Sequence, residues 1–157
     1  MLIYISSSWK NRDRVREMAN NLLELGYEVY DFTNPQCRKT EEIPPERFPN
    51  EFDPGCQIYS TYIDIPEYRD AVMENKEAID RSHFIILLLP CGNDAHADWA
   101  YGLGKGKETV VVGQPRKGER SPVHLWADAI INRDEQVYGY LHKRAVRLLY
   151  RREKNNE

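Results

Sequence analysis

The sequence predicts an α/β fold, a three-layer sandwich in which a parallel sheet of about five strands carries helices on both faces. Three observations carry this. His83–Leu89 (HFIILLL) and Glu108–Val112 (ETVVV) are apolar without alternation, the pattern of strands buried on both faces. A small-residue helix, Ala95–Leu103, lies between them, so strand, loop, helix and strand follow within about 30 residues as one βαβ unit. The first 32 residues repeat the arrangement, with a strand at Leu2–Ser6, a helix, and a strand at Tyr27–Phe32.

The chain's 157 residues suit a single domain, 1–157. A domain of this size buries roughly 70% of its unfolded surface. Net charge is −3, so no broad nucleic-acid surface is expected. The three cysteines, Cys37, Cys56 and Cys91, are odd in number and lack metal-ligand spacing. That pattern argues for a reducing, cytoplasmic location and against a disulfide framework. The start, Met1–Ile5, has no basic flank and is too short for a signal segment. No apolar run approaches about 20 residues, so no membrane span is expected. No motif asks for a metal or an organic cofactor. Gly104–Lys107 (GKGK) lacks the rest of a phosphate-binding loop and follows a helix instead of preceding one.

In chain order, the first strand breaks into Ser6-Ser7-Ser8-Trp9, a polar turn that can cap the next helix. That helix runs from about Lys10 to Leu25, with Val15, Met18, Ala19, Leu22 and Leu23 as its apolar stripe and Gly26 ending it. The serine turn faces the carboxyl edge of the sheet, where ligands of open α/β sheets bind. Two readings of it stand side by side: the serines only cap the helix, or they and the helix N-terminus hold a phosphate or a ribose hydroxyl. Thr33–Pro66 is proline-rich and acidic, and aromatic residues recur at Phe48, Phe52, Tyr59 and Tyr62. With no sustained period it reads as a lid-like insertion over a ligand or a neighbouring subunit, or as a loop packed on its own domain. Glu67–Asp80 reads as a helix whose stripe is Tyr68, Ala71, Val72, Asn75, Ala78 and Ile79. Asn75 is then either a helix-end residue satisfied by backbone or a side chain at the ligand edge. Pro122–Ile131 reads as a short helix running into a short edge strand. The last helix spans about Asp134–Arg152 with Val137, Leu141, Ala145 and Leu148 inward. Its basic end is a solvated face that suits the helix dipole.

The loop Cys91–Asp94 and the helix after it deliver the chemistry. Ala95, Asp98, Trp99 and Gly102 share one helical face, which turns the Asp98 carboxylate toward the sheet edge. The helix N-terminus one turn away is expected to keep it ionised. Ala97, Gly102 and Gly104 leave room for the helix to lie close to a neighbour. His96 points the other way, and a lone histidine is more often packing than catalysis.

Ile3–Trp9, Gly26–Phe32 and Leu88–His96 through Lys107 together resemble the nucleoside 2-deoxyribosyltransferase-like superfamily, which is related in fold to TIR domains. The resemblance implies a flavodoxin/Rossmann-like sandwich. It also implies a carboxylate on the helix after the third strand that attacks C1′ of a nucleoside or assists departure of the base. The matching position is Asp98, where the family usually has Glu. An acidic residue common on the preceding helix falls near Asn75, which cannot act as an acid. The substrate-binding set implied is Tyr4, Ser6, Ser7, Ser8, Trp9, Asp31, Phe32, Asn75, Gly92, Asn93, Asp94 and His96. Within it Tyr4, Trp9 or Phe32 would stack on the base. The expected activity is an N-glycosidase or glycosyltransferase acting on a nucleoside or nucleotide through Asp98. Cleavage of an N-glycosidic bond passes through an oxocarbenium-like sugar that a carboxylate stabilises or traps. The alternatives are a TIR-like NAD hydrolase or cyclase making a defence signal, a non-catalytic nucleotide-binding sensor, and a partner-binding domain. The related enzymes commonly assemble, so a homo-oligomer is expected.

Overall fold

Each predicted apolar run forms a strand. The computed structural model describes residues 1–39, 66–117 and 121–155 of the chain. The strands are β1 (Leu2–Ser6), β2 (Glu28–Asp31), β3 (Phe84–Leu88), β4 (Glu108–Val112) and β5 (Ala129–Ile131). They form one sheet in the order β2-β1-β3-β4-β5, every neighbouring pair parallel. Every residue of β3 is buried, as an unalternating run requires at the sheet's centre. The result is a Rossmann-like α/β sandwich. The chain winds from β1 outward to β2, then returns to β3 on the other side, so the order reverses between β1 and β3. Such a switch point opens a crevice at the carboxyl ends of the two strands.

Among the described residues four α-helices cover the sheet: α1 (Arg12–Glu24), α2 (Pro66–Arg81), α3 (Asn93–Gly104) and α4 (Asp134–Asn155). Helices α1 and α4 lie on one face, joined by the Arg14–Asp134 ion pair and by Asn21 donating to the Tyr138 hydroxyl at 2.9 Å. Helices α2 and α3 pack together on the other. The Arg144 guanidinium and the Tyr140 hydroxyl both reach Glu108 at 2.6 Å, which ties α4 to the start of β4. Arg144 thus departs from the solvated face expected of the basic end.

Three local expectations change. The first helix opens with a 3₁₀ turn at Trp9–Asn11, because Ser8 Oγ accepts from the Lys10 amide and Asn11 donates to Ser7 Oγ and the Pro90 carbonyl instead of capping α1. Helix α3 begins at Asn93, two residues before the predicted start. On α2, Val72 is 64% exposed while Glu74 is 8% exposed. The helix is therefore turned so that Glu74, Asn75, Ala78 and Ile79 face inward. Val137, Leu141 and Ala145 are buried on α4 as predicted. Gly26 ends α1 at φ +84, a conformation that L side chains rarely adopt. The predicted lid falls mostly within 40–65, outside the described residues, with its aromatics and Cys56; the side chains of Tyr68 and Leu148 also lie outside them.

Candidate functional site

Gly102 sets the position of α3. A Cβ there would meet Ile85 Cγ1 of β3 at 2.6 Å, so only glycine lets the helix lie this close to the sheet. Ala95 and Trp99 are buried on the same helical face, at 5% and 1% exposure. Asp98 follows at the edge of that face and comes down beside β1. The Tyr4 hydroxyl donates to Asp98 Oδ2 at 2.7 Å. Among the described residues, Oδ1 has no hydrogen-bond partner.

Tyr4 is itself fixed from behind. Its ring stacks on Tyr30 of β2 at 5.3 Å between centroids and 7° between planes, since Tyr4 and Tyr30 are register partners in β1 and β2. The Tyr30 hydroxyl donates to Asn75 Oδ1 at 3.1 Å. A continuous row, Asn75–Tyr30–Tyr4–Asp98, therefore crosses the sheet beneath α2 and α3. Tyr4 and Tyr30 are 1% and 5% exposed.

Burial raises the Asp98 carboxyl above the ordinary carboxylate range. The Tyr4 hydroxyl opposes the rise by bonding the charged form, and the charge of Asp94 adds to it. Burial thus works against the help that the helix N-terminus was expected to give the ionised form. The Tyr4 phenol is raised well above its usual value by burial, then by the Asp98 charge beside it. The Tyr30 phenol is raised by burial and by the charge of Glu74, with Arg38 opposing.

The predicted site residues divide into three groups. Tyr4, Asp98 and Asn75 form the row. Phe32 and Trp9 make the rim next to it, meeting edge to face at 5.4 Å and 85°. Tyr4 and Ser6 alternate to the same face of β1, and Ser6 Oγ–H donates to the Ala95 carbonyl at 3.0 Å. Ser7 Oγ–H donates to the Leu88 carbonyl at 2.8 Å. Ser8 Oγ is the cap of the 3₁₀ turn. The capping and bracing reading of the serine turn therefore has direct contacts behind it. Gly92 is the N-cap of α3, and Asn93 and Asp94 are exposed in its first turn.

Two predicted residues face away from the row. Asp31 alternates to the α1 face of β2, where Oδ1 accepts from the Thr33 amide and hydroxyl at 2.8 and 2.7 Å. His96 turns to the opposite side of α3, as its position two residues from Asp98 requires. There Nδ1 meets the Gly92 carbonyl at 2.9 Å and Nε2 meets His124 Nε2 at 2.9 Å. His124 is 7% exposed, and burial, then the neighbouring His96, pushes its pKa down.

Sequence reasoning missed Tyr30, Glu74, Arg38 and His124. The register of β1 and β2 would have flagged Tyr30, since Tyr4 and Tyr30 fall at matching places in two parallel strands. Glu74 sits one residue from the position at which an acid was sought, and a small rotation of α2 would have exchanged it with Val72. Arg38 lies in the turns after β2, and His124 in the short 3₁₀ helix Pro122–Trp126, where too few residues repeat for a period to place a side chain. Among the described residues no group of three or more His, Cys, Asp or Glu is arranged to hold a metal. Among the described residues, two clefts lie away from Asp98: one between α1 and α4 and one at the amino edge of the sheet near His83 and Lys107.

Fold and row together define an open, doubly wound α/β sandwich with a half-buried carboxylate at its switch point. No protein-family model matches the chain, and no curated protein matches it. Among solved structures the chain is similar to the CMP N-glycosidase BcmB of Clostridium botulinum. The TM-score is 0.51 and the sequence identity 12%, over 90% of this chain and 99% of that one. No helix among the described residues is long and apolar enough to cross a membrane.

Proposed function

We propose that the protein is an N-glycosidase that cleaves the bond between base and sugar of a nucleotide, with Asp98 acting at C1′. The observation that carries this reading is the Asp98 carboxylate beside β1, with one oxygen held by Tyr4 and the other without a hydrogen-bond partner among the described residues. Such a carboxylate stabilises the positive charge that develops on the sugar, or forms a transient ester with C1′. The bond electrons leave with the base. Water then adds to C1′ and loses a proton, and an acceptor base in place of water gives transfer. Tyr4 orients the reacting carboxylate and tunes its charge. Trp9 and Phe32 offer an aromatic rim against which a base can rest. The shared fold with an enzyme described as a CMP N-glycosidase supports a nucleotide as the substrate class.

The test is incubation with a panel of nucleoside monophosphates, nucleosides and NAD, with the free base followed by chromatography. A nucleoside monophosphate is expected to release its base, and Asp98→Asn to reduce the rate by at least about 10²-fold. Release from NAD alone would move the reading to a TIR-like hydrolase. Binding without release from any compound would leave a sensor, for which Asp98 in place of Glu and Asn75 in place of an acid are the motivating features. The homo-oligomer is part of the same proposal, and sedimentation at micromolar concentration showing only a monomer would remove it.

A further inference from the structure

Arg38 is a cation at this rim that the row does not use. It lies in the turns that follow β2, with its guanidinium carbon 5.4 Å from the centroid of the Trp9 ring. Trp9 in turn meets Phe32, on the face shared with Tyr30 and Tyr4. Arg38 is near enough to Tyr30 for its charge to oppose the rise in the phenol's pKa. Its Nε is buried and has no hydrogen-bond partner. A buried N–H left unmade costs about 1–3 kcal/mol, and such groups in native structures call for a reason.

The serine turn sharpens the question. A phosphate presents only acceptor oxygens and must be met by donors. The hydroxyl hydrogens of Ser6 and Ser7 are already given to the Ala95 and Leu88 carbonyls. Arg38 has what they lack: a full charge, an unmatched Nε–H and an aromatic plane that holds the guanidinium in one orientation. Guanidinium forks bind phosphate through two parallel N–H···O bonds, which a lysine ammonium cannot reproduce.

We propose that Arg38, stacked on Trp9, binds the phosphate of the substrate and so selects nucleotides over nucleosides. This rests on the nucleotide reading for its substrate class, but its test needs no turnover. Calorimetric titration would compare ribose 5-phosphate with ribose on the full chain and on Arg38→Gln, Arg38→Lys and Asp98→Asn. The full chain is expected to bind ribose 5-phosphate at least about 10-fold more tightly than ribose. Arg38→Gln should lose that preference and leave ribose binding unchanged. Arg38→Lys should recover only part of it, and Asp98→Asn should keep all of it. Equal affinity for the two sugars in the unaltered chain would overturn the proposal. So would an Arg38→Gln chain that still prefers the phosphate, or one that loses both sugars alike. If Arg38→Gln does not fold, Arg38→Lys decides: binding as tight as the original means the fork is not used. A chain that binds ribose 5-phosphate through Arg38 yet releases no base from any nucleotide keeps this inference and loses the glycosidase.

Discussion

Tyr4 and Asp98 show how a single hydrogen bond divides the work of a carboxylate. Burial favours the neutral acid, while the phenol's O–H favours the anion, because a hydroxyl donates more strongly to a charged oxygen. The balance leaves Asp98 raised but not freed of its charge-stabilising partner. Tyr4→Phe removes the donor and keeps the ring on Tyr30. The Asp98 pKa then rises further, so the fall in base release on acidification should begin at a higher pH than in the unaltered protein. At the pH where the original is half-maximal, the variant should be several-fold slower; a pH–rate profile of both forms measures this. An unmoved acid limb would mean that Asp98 is not the group being titrated. Asp98 itself was legible from the sequence, because helical spacing alone puts it beside Ala95, Trp99 and Gly102. Its partner Tyr4 was expected as a stacking surface for a base. Its ring stacks instead on Tyr30, a contact that depends on the register of two strands 26 residues apart, which no local pattern encodes.

At the scale of elements, the position of the site depends on how closely α3 approaches the sheet. Gly102 allows this, and Ile85 fills the space that a Cβ would need. Ile85 is β-branched and fully buried, so it cannot swing away freely. Gly102→Ala should destabilise the fold by about 1–3 kcal/mol despite the better helix propensity of alanine. Chemical denaturation measures the loss. Base release should fall with it, since α3 carries Asp98 and a displacement of about 1 Å is enough to spoil alignment with C1′. The helices and strands themselves were readable, because apolar runs and stripes report burial directly. The rotation of α2 was not. Val72 and Glu74 exchanged places relative to the predicted stripe, since a helix of mixed composition offers several stripes of similar quality and the sheet decides among them.

At the scale of the molecule, the strand order β2-β1-β3-β4-β5 determines where chemistry can occur. The two βαβ units were visible in the sequence, and so was the carboxyl edge as the edge where ligands of such sheets bind. The order of strands was not visible, since both halves read alike, and the reversal between β1 and β3 is a property of the assembled sheet. A ligand seated at that reversal touches loops from two separately wound halves, so it should stabilise the whole fold and not one part of it. Saturation with a nucleoside monophosphate at about 100 times its dissociation constant should add about 2.7 kcal/mol. For a chain of this length that is a rise of roughly 5–10 °C in melting temperature. Scanning calorimetry should show the single transition moving as one, whereas no shift with any nucleoside monophosphate would favour a domain that binds a macromolecular partner.

The serine turn carries one more implication. Ser6 grips the Ala95 carbonyl, Ser7 grips the Leu88 carbonyl, and Asn11 reaches the Pro90 carbonyl, so the end of β1 and the turn after it are stitched to the end of β3, the loop that follows and the first turn of α3 by three bonds. The segment bearing Trp9 and the helix bearing Asp98 therefore shift as a unit. An engineer who grafted a foreign first loop to change ligand preference would also be resetting the carboxylate. Such a graft would succeed only if it brought its own anchors for those three carbonyls.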